Sequence, residues 1–303
     1  MEFSEQFFIC VGTVVFVYYG VKLLIFSRML FPKLCFPLPN AFMTSMGEWA
    51  VVTGSSEGIG RAYAFELAKR GMNVVIMSRN KETLDQVAAE ITDTTGRNVK
   101  VIVTDFVKEN VFGEIEDQLR DLNIGVLVNN VGILPNYIPS KFLDSKELDQ
   151  DVTRVINCNV RTVVKVGVWK GLILNVSSGI ASIPFPMYTL YAASKVFVER
   201  FSQGLQAEYK DKGIIIQVVA PFGVSTRMAA FQQTNMVTLS PEDFVQRSLL
   251  YLRAGDKTYG NVSHIIMGWV LQHIPLKLLY AEATQRSLNN YVKRKTAKDQ
   301  GTK

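Results

Sequence analysis

Apolar and polar positions follow a regular alternation through most of the chain. After residue 46, short unbroken apolar runs, typical of buried strands, are separated by longer segments whose apolar positions recur at helical spacing. This order predicts an α/β fold, a Rossmann-type doubly wound parallel sheet with helices on both faces. The predicted strands are 48–53, 73–78, 98–104, 124–129, 172–177 and 214–220, and the predicted helices are 59–70, 82–91, 111–122, 148–166, 188–209 and 240–253.

The beginning of the chain has a different pattern. Residues 7–26 contain one charged side chain, Lys22, and are about as long as a segment that crosses a bilayer. We therefore predict a membrane anchor at residues 1–30, and the alternative is an amphipathic hairpin that lies on one leaflet. Arg28 and Lys33 add to the positive charge after this stretch, which predicts that the rest of the chain is cytosolic.

Prolines and a second apolar stretch predict the remaining boundaries. A proline cluster within residues 31–46 indicates a linker with extended backbone, so the folded domain is predicted at 47–260. The C-terminal segment, 261–303, combines an apolar stretch at 262–280 with a basic tail. The apolar stretch is interpreted as a cap on a substrate pocket or as a segment on the membrane surface, and an ordinary core helix explains it equally well.

Composition and charge narrow the class of protein. The chain has 303 residues, 48% of them hydrophobic and 20% charged, which suits neither a multi-span transporter nor a disordered chain. With 3 Cys and 2 His, neither a disulfide framework nor a metal site is predicted. The net charge of +6 lies in residues 1–46 and 286–303. Charge at the two ends suits a membrane surface better than a nucleic acid, and no nucleic-acid partner is predicted.

A glycine-rich segment lies between the first predicted strand and the first predicted helix. Residues 53–60 read Thr-Gly-Ser-Ser-Glu-Gly-Ile-Gly. Glycines at this place let the backbone turn tightly and approach a pyrophosphate, which also meets the positive end of the helix. This context predicts dinucleotide binding, and a plain glycine turn is the alternative. The predicted contacts are Gly54, Ser55, Ser56, Gly58, Ile59 and Gly60.

The residues after the next strands predict which dinucleotide binds. The acidic residue that usually holds a ribose hydroxyl is absent after the second strand, where Arg79 stands instead. A cation here suits a 2′-phosphate, so NADPH or NADP is predicted, with Arg61 as a possible second cation. The alternative is that Arg79 is a solvated surface charge. Asp105 is predicted to contact the adenine, and Asn130 to line the nucleotide site.

Four polar residues predict carbonyl chemistry. Tyr191 and Lys195 are spaced i, i+4, so they share one helix face. An ammonium beside a phenol is expected to lower the phenol pKa and so make the tyrosine a usable proton donor. Ser178, at the end of a predicted strand, would bind the substrate carbonyl as a second donor, and Asn159 would hold the water or carbonyl that positions the lysine.

Together these motifs resemble those of the short-chain dehydrogenase/reductases. The shared set is Thr-Gly-x-x-x-Gly-x-Gly, Asn-Asn-x-Gly, Ser followed by Tyr-x-x-x-Lys, and Pro-Phe-Gly at 221–223, over about residues 47–265. The resemblance implies that Tyr191 donates the proton, that Lys195 orients the ribose and tunes the tyrosine, and that Asn159 completes a relay. It also implies cofactor contacts for Tyr191, Lys195, Val224 and Thr226.

Further segments resemble the membrane-anchored 17-beta-hydroxysteroid dehydrogenase branch of that family. They are residues 46–50, 124–132 and 172–180. This resemblance implies an endoplasmic reticulum membrane enzyme, facing the cytosol, that reduces a hydrophobic ketone with NADPH. Residues 132–136, 179–181 and 183–184 resemble the testosterone-forming members of this branch, which implies reduction of a steroid 17-ketone, androstenedione to testosterone. Very-long-chain 3-oxoacyl-CoA reduction is the alternative.

One departure from the family pattern concerns the crossover after Asn159. Only residues 160–171 remain before the next predicted strand, whereas the family helix is about nine residues longer. Gly167 and Trp169 stand where that helix would continue. In many relatives this helix forms a dimer interface, so a homodimer is doubtful. A non-catalytic, NADP-binding protein is therefore the rival to the enzyme.

Overall fold

The protein is described by a computed structural model covering residues 3–39, 41–136, 140–166, 171–287 and 290. Its strands are β1 (Trp49–Thr53), β2 (Asn73–Ser78), β3 (Val99–Val103), β4 (Ile124–Asn129), β5 (Leu172–Val176), β6 (Ile215–Val219) and β7 (Lys257–Thr258). Its helices are α1 (Phe3–Leu30), α2 (Pro32–Cys35), α3 (Gly58–Lys69), α4 (Lys81–Thr95), α5 (Phe112–Leu119), α6 (Leu148–Val155), α7 (Thr162–Lys165), α8 (Thr189–Tyr209), α9 (Pro241–Ser248), α10 (Val262–His273) and α11 (Leu276–Tyr280).

The strands form one parallel sheet in the order β3-β2-β1-β4-β5-β6-β7. The chain starts at β1 in the middle, builds toward β3, and then returns to β4 to build the other half. In sheets of this kind, ligands bind outside the carboxyl ends of the strands at the point where the order reverses. The predicted Rossmann-type parallel sheet is confirmed, while the short β7 had no apolar run that could predict it.

Alternate strand residues face two different layers of helices. Val52 and Ile76 belong to a large apolar cluster with α3, α4 and α9, which we call the closed face. Val51 and Val75 belong to a smaller cluster with α5 and the α6–α7 region, against which α8 also packs; we call this the open face. Because successive strand side chains point to opposite faces, one run of valines and isoleucines supplies both cores.

The crossover after Asn159 is helical but ends early. A π-helical turn, Ile156–Arg161, links α6 to α7, and the chain turns extended at Val166. Gly167 and Trp169, where the sequence departs from the family helix, lie outside the residues that the structure describes. Beyond α7, a groove of about 970 Å³ runs along the open face, between α5, residues 122–124 and α7. The groove lies where a longer crossover helix would cover the sheet.

The N-terminal helix α1 stands apart from the sheet. None of its residues is buried in the protein, and it is long and apolar enough to cross a membrane. Its last turns reach the folded domain, because Tyr251 Oη donates a hydrogen bond to the Met29 carbonyl over 2.9 Å. A candidate anchor is thus present, and the exact domain boundaries 1–30, 31–46, 47–260 and 261–303 stay predictions.

Candidate active site

A cleft of about 370 Å³ opens at the carboxyl ends of the central strands. Its walls come from the glycine-rich turn after β1, the ends of β2 to β5, helix α8 and the segment after β6. Most of the predicted site residues line this one cleft, namely Gly54, Ser56, Gly58, Ile59, Arg79, Asp105, Asn130, Ser178, Tyr191, Lys195, Val224 and Thr226.

The glycine-rich turn has the backbone that its sequence requires. Gly54 and Gly58 have positive φ angles of 67° and 58°, which residues with a Cβ adopt poorly. Helix α3 begins at Gly58, and the preceding Glu57 makes no side-chain cap. The first N–H groups of this helix therefore remain available to an anion.

Two residues predicted as cofactor contacts lie behind the turn instead. Ser55 is fully buried, and its Oγ accepts a hydrogen bond from the Met77 N–H over 2.8 Å. A Cβ on Gly60 would lie 2.2 Å from the Gly54 carbonyl oxygen. Neither residue lines the cleft. Both hold the turn against its surroundings, and their contacts with a cofactor stay predictions.

Some polar residues around the nucleotide end of the cleft already form ion pairs or hydrogen bonds within the protein, and others do not. Arg79 is exposed and forms no ion pair within the described part of the chain. Arg61 binds Glu90 over 2.6 Å and lies outside the cleft, so the structure does not support it as the second cation. Asn130 Nδ2 donates to the carbonyls of Thr53 and Gly54 and so holds the turn in place.

The catalytic candidates meet at the other end of the cleft. Tyr191 and Lys195 are one turn apart on α8, with the lysine Nζ 5.7 Å from the tyrosine ring centre. Lys195 Nζ donates to the Val176 carbonyl over 2.9 Å. Ser178 caps a short 3₁₀ turn after β5 and lines the same cleft, and the Tyr191 hydroxyl donates to Met228 Sδ over 3.9 Å. A phenol, an ammonium and a hydroxyl therefore surround one space.

Burial controls the protonation of this group. Burial raises the pKa of Tyr191 to about 12, although the nearby Ser178 side chain opposes the rise. Burial also lowers the pKa of Lys195 to about 8, with the nearby Cys158 opposing the fall. The expectation that the ammonium lowers the phenol pKa is wrong for the protein without cofactor, because loss of solvation outweighs it.

Asn159 lies in the π-helical turn, and its side chain hydrogen-bonds the backbone of the segment that follows β4. Its Oδ1 accepts from the Ile133 N–H over 2.8 Å, and its Nδ2 donates to the Ile133 carbonyl and to Ser194 Oγ, each over 3.0 Å. Gly132 passes between it and the lysine, since a Cβ there would lie 3.1 Å from Lys195 Nζ. Asn159 and Lys195 hydrogen-bond different carbonyls, those of Ile133 and Val176, so the relay between them stays a prediction.

Several cleft residues had no signal in the sequence. Arg227, after β6, donates to Glu57 in the glycine-rich turn over 2.6 Å, so an ion pair joins the two sides of the cleft. Cys158, Tyr188 and Met228 also line it. Only the folded loops bring these residues together, and none belongs to a spaced motif.

Comparison with known proteins is consistent with this geometry. A family model described as short chain dehydrogenase matches residues 48–236, more than half of the chain. The chain belongs to the short-chain dehydrogenase family. Members link NADP or NAD to alcohol and ketone groups, and the chain is an NADP-linked oxidoreductase of this kind.

Relatives within the short-chain dehydrogenase family extend the likeness to both ends of the chain. The 17-beta-hydroxysteroid dehydrogenase type 3 of Danio rerio is 53% identical over 302 residues, 97% of this chain and 98% of that protein. The Homo sapiens protein of the same name is 46% identical over 293 residues, 94% of each chain. A very-long-chain 3-oxoacyl-CoA reductase of Anas platyrhynchos is 47% identical over 240 residues, 76% of this chain and 77% of that protein.

Solved structures of short-chain dehydrogenases share the fold. A short-chain dehydrogenase from Sphingobium yanoikuyae in complex with NADPH is 28% identical to this chain, with a TM-score of 0.60. The match covers 69% of this chain and 86% of that one. The predicted family, and the membrane-anchored hydroxysteroid branch within it, are confirmed as resemblances.

Proposed function

We propose that this protein reduces a steroid 17-ketone with NADPH, converting androstenedione to testosterone. The observation that carries the proposal is the single cleft in which Tyr191, Lys195 and Ser178 meet the glycine-rich turn. The relatives named type 3 match nearly the whole chain, including α1 and the segment after β7, whereas the 3-oxoacyl-CoA reductase matches 76% of it. The steroid reaction therefore ranks first.

The residues present fit NADPH. The glycine-rich turn and the open start of α3 offer N–H groups to a pyrophosphate, and an added Cβ at Gly60 would collide with the turn itself. Arg79, exposed and without an ion pair in the described residues, suits the 2′-phosphate. Asp105, Asn130, Val224 and Thr226 line the rest of the nucleotide side. When bound, NADPH supplies the hydride that adds to the carbonyl carbon.

The protein's own residues handle the proton. With a pKa of about 12, Tyr191 stays protonated at neutral pH and donates its phenolic proton to the carbonyl oxygen. Ser178 donates a second hydrogen bond to the same oxygen, which holds the ketone in place as negative charge develops. The phenolate that remains on Tyr191 is stabilised by the Lys195 ammonium and is then reprotonated.

The remaining walls of the cleft suit an apolar substrate. Ile133, Leu134 and Ile180 line it, together with Phe222 and Met228 from the segment after β6. Apolar walls with a few polar groups at one end are typical of a site that orients a lipid-like ketone. A 3-oxoacyl-CoA is the second candidate, and it rests on the 47% identity to the reductase of Anas platyrhynchos.

The anchor and its orientation are part of the same proposal. Helix α1 crosses the endoplasmic reticulum membrane, and the sheet domain faces the cytosol because basic residues follow the apolar stretch. The short crossover does not remove the site, since Asn159 and Lys195 keep their hydrogen bonds to backbone carbonyls. This favours the enzyme over the non-catalytic rival.

The test uses the full chain in phospholipid nanodiscs with NADPH and either androstenedione or a 3-oxoacyl-CoA. We expect oxidation of NADPH with the steroid, and at least an approximately 100-fold loss in Tyr191→Phe with NADPH binding retained. Tyr209→Phe, at the far end of α8, is the matched control and should keep its turnover. Turnover that survives Tyr191→Phe contradicts the mechanism, and turnover of the 3-oxoacyl-CoA alone selects the second candidate.

A further inference from the structure

Helix α10 is apolar on two opposite faces. His264, Ile265 and Gly268 are buried against the domain. On the other side, Ile266, Trp269 and Val270 are 45%, 54% and 42% exposed. These three positions share one helix face by their spacing. A helix that is apolar all around is normally covered on all sides, so this outer face calls for a partner.

Helix α11 follows α10 in the chain and also exposes apolar side chains. Leu276, Leu278 and Tyr280 are 42%, 61% and 40% exposed. Lys277 lies between them and carries the positive charge of this helix. We call the exposed side chains Ile266, Trp269, Val270, Leu276, Leu278 and Tyr280 the α10–α11 surface.

The α10–α11 surface begins where α1 meets the domain. The rings of Phe26 and Trp269 lie 6.4 Å apart, centre to centre. Phe26 belongs to the last turns of the helix proposed to cross the membrane, and Met29 in the same turns is bonded to Tyr251. The exposed apolar side chains are therefore held beside the point at which α1 leaves the bilayer.

We propose that the α10–α11 surface lies in the cytosolic leaflet of the membrane that α1 crosses; this inference rests on the proposed anchoring. The side chains of the α10–α11 surface suit the boundary between hydrocarbon and headgroups. Tryptophan and tyrosine prefer the interface between hydrocarbon and headgroups, and a lysine beside them reaches the anionic headgroups. Trp269, Lys277 and Tyr280 supply these three groups, with aliphatic side chains between them.

Helix α10 also connects this surface to the substrate side of the cleft. The ring of His264 accepts from the Phe222 N–H at Nδ1, so Nε2 carries the proton and donates to the Val237 carbonyl over 2.8 Å. The segment from Phe222 to Val237 includes Met228, which lines the cleft. In the same segment, Phe231 and Met236 are 64% and 89% exposed. Helix α10 therefore carries the proposed docking face on one side and holds a cleft-lining segment on the other.

The test places an environment-sensitive probe on the docked face. Cys10 and Cys35 are changed to serine, and the buried Cys158 is left in place. Val270→Cys is labelled with the fluorophore NBD in the full chain, reconstituted in phosphatidylcholine vesicles with spin-labelled lipids. Val196→Cys on α8 is the matched control, since both valines are exposed, at 42% and 38%.

We expect blue-shifted emission at position 270 that spin-labelled lipids quench at least about twofold more than at position 196. Emission at 270 as in water overturns the inference. A blue shift without quenching by lipid also overturns it, because a second copy or another protein then covers the surface. The readout needs no turnover, so failure of the proposed reaction leaves it intact. Failure of the chain to float with vesicles would instead contradict the anchoring itself.

Discussion

The two faces of the sheet are built from the same strands but covered to different extents. On the closed face, α3, α4 and α9 bury a continuous apolar cluster that includes Leu67 and Phe244. On the open face, the crossover helix ends at Lys165 and leaves the groove beside α5. Yet α8 on this open face carries Tyr191 and Lys195. The comparison indicates that the closed face supplies most of the apolar packing, whereas the open face carries the residues that handle the proton.

The largest expected effect tests the packing of the closed face. Leu67 on α3 has no exposed surface, so Leu67→Ala should lower the free energy of unfolding by about 2–5 kcal/mol. Leu119 on α5 borders the groove and is only partly buried, so Leu119→Ala should cost less than about 2 kcal/mol. Denaturant unfolding of the full chain in detergent measures both. Equal losses would contradict the division into a closed and an open face.

The sheet could be predicted from the sequence because each strand is marked by a short apolar run of its own. An apolar run such as Val74–Met77 predicts a buried strand from its own residues alone, and the glycines at 54 and 58 predict a turn in the same way. For the groove, the sequence predicted only that the crossover helix after Asn159 is shorter than in the family. The shape of the groove depends on how α5 and α7 pack, and that information is not contained in the spacing of either helix.

The second prediction concerns Asn159, which links the short crossover to the site. Asn159→Ala removes both side-chain bonds to the Ile133 backbone, so the segment that passes Lys195 loses its support. We expect kcat for ketone reduction to fall about 10- to 100-fold, in line with about 1–3 kcal/mol for buried groups left unpaired. Steady-state kinetics with NADPH in excess measure this, and an unchanged KM for NADPH would show that the nucleotide side is intact.

Asn175→Ala is the matched control for Asn159→Ala. Asn175 is also buried on the open face and bonds two side chains, Asn129 and Ser202, both away from the cleft. It should lose stability while keeping kcat. An equal fall of kcat in both variants would mean that the whole open face, and not the Asn159 contact, supports catalysis.

The residues of the site divide in the same way between what spacing predicts and what it does not. Tyr191 and Lys195 follow from one helical turn, and Ser178 from the end of a strand. Their protonation did not follow, because burial depends on every element around the cleft. The ion pair between Glu57 and Arg227 was equally beyond prediction, since it joins two loops that are far apart in the sequence.

The smallest expected effect tests whether the lysine on the catalytic helix is shielded from water. Lys195 is buried, and its pKa is lowered to about 8, so the ammonium is present below that pH and lost above it. Because the ammonium stabilises the Tyr191 phenolate, kcat/KM for ketone reduction should be level below pH 8 and fall about tenfold per pH unit above it. A rate that holds to about pH 10, near the ordinary lysine pKa, would show that Lys195 is solvated in the free enzyme. The pH of the decline decides between these cases because kcat/KM reports the free enzyme.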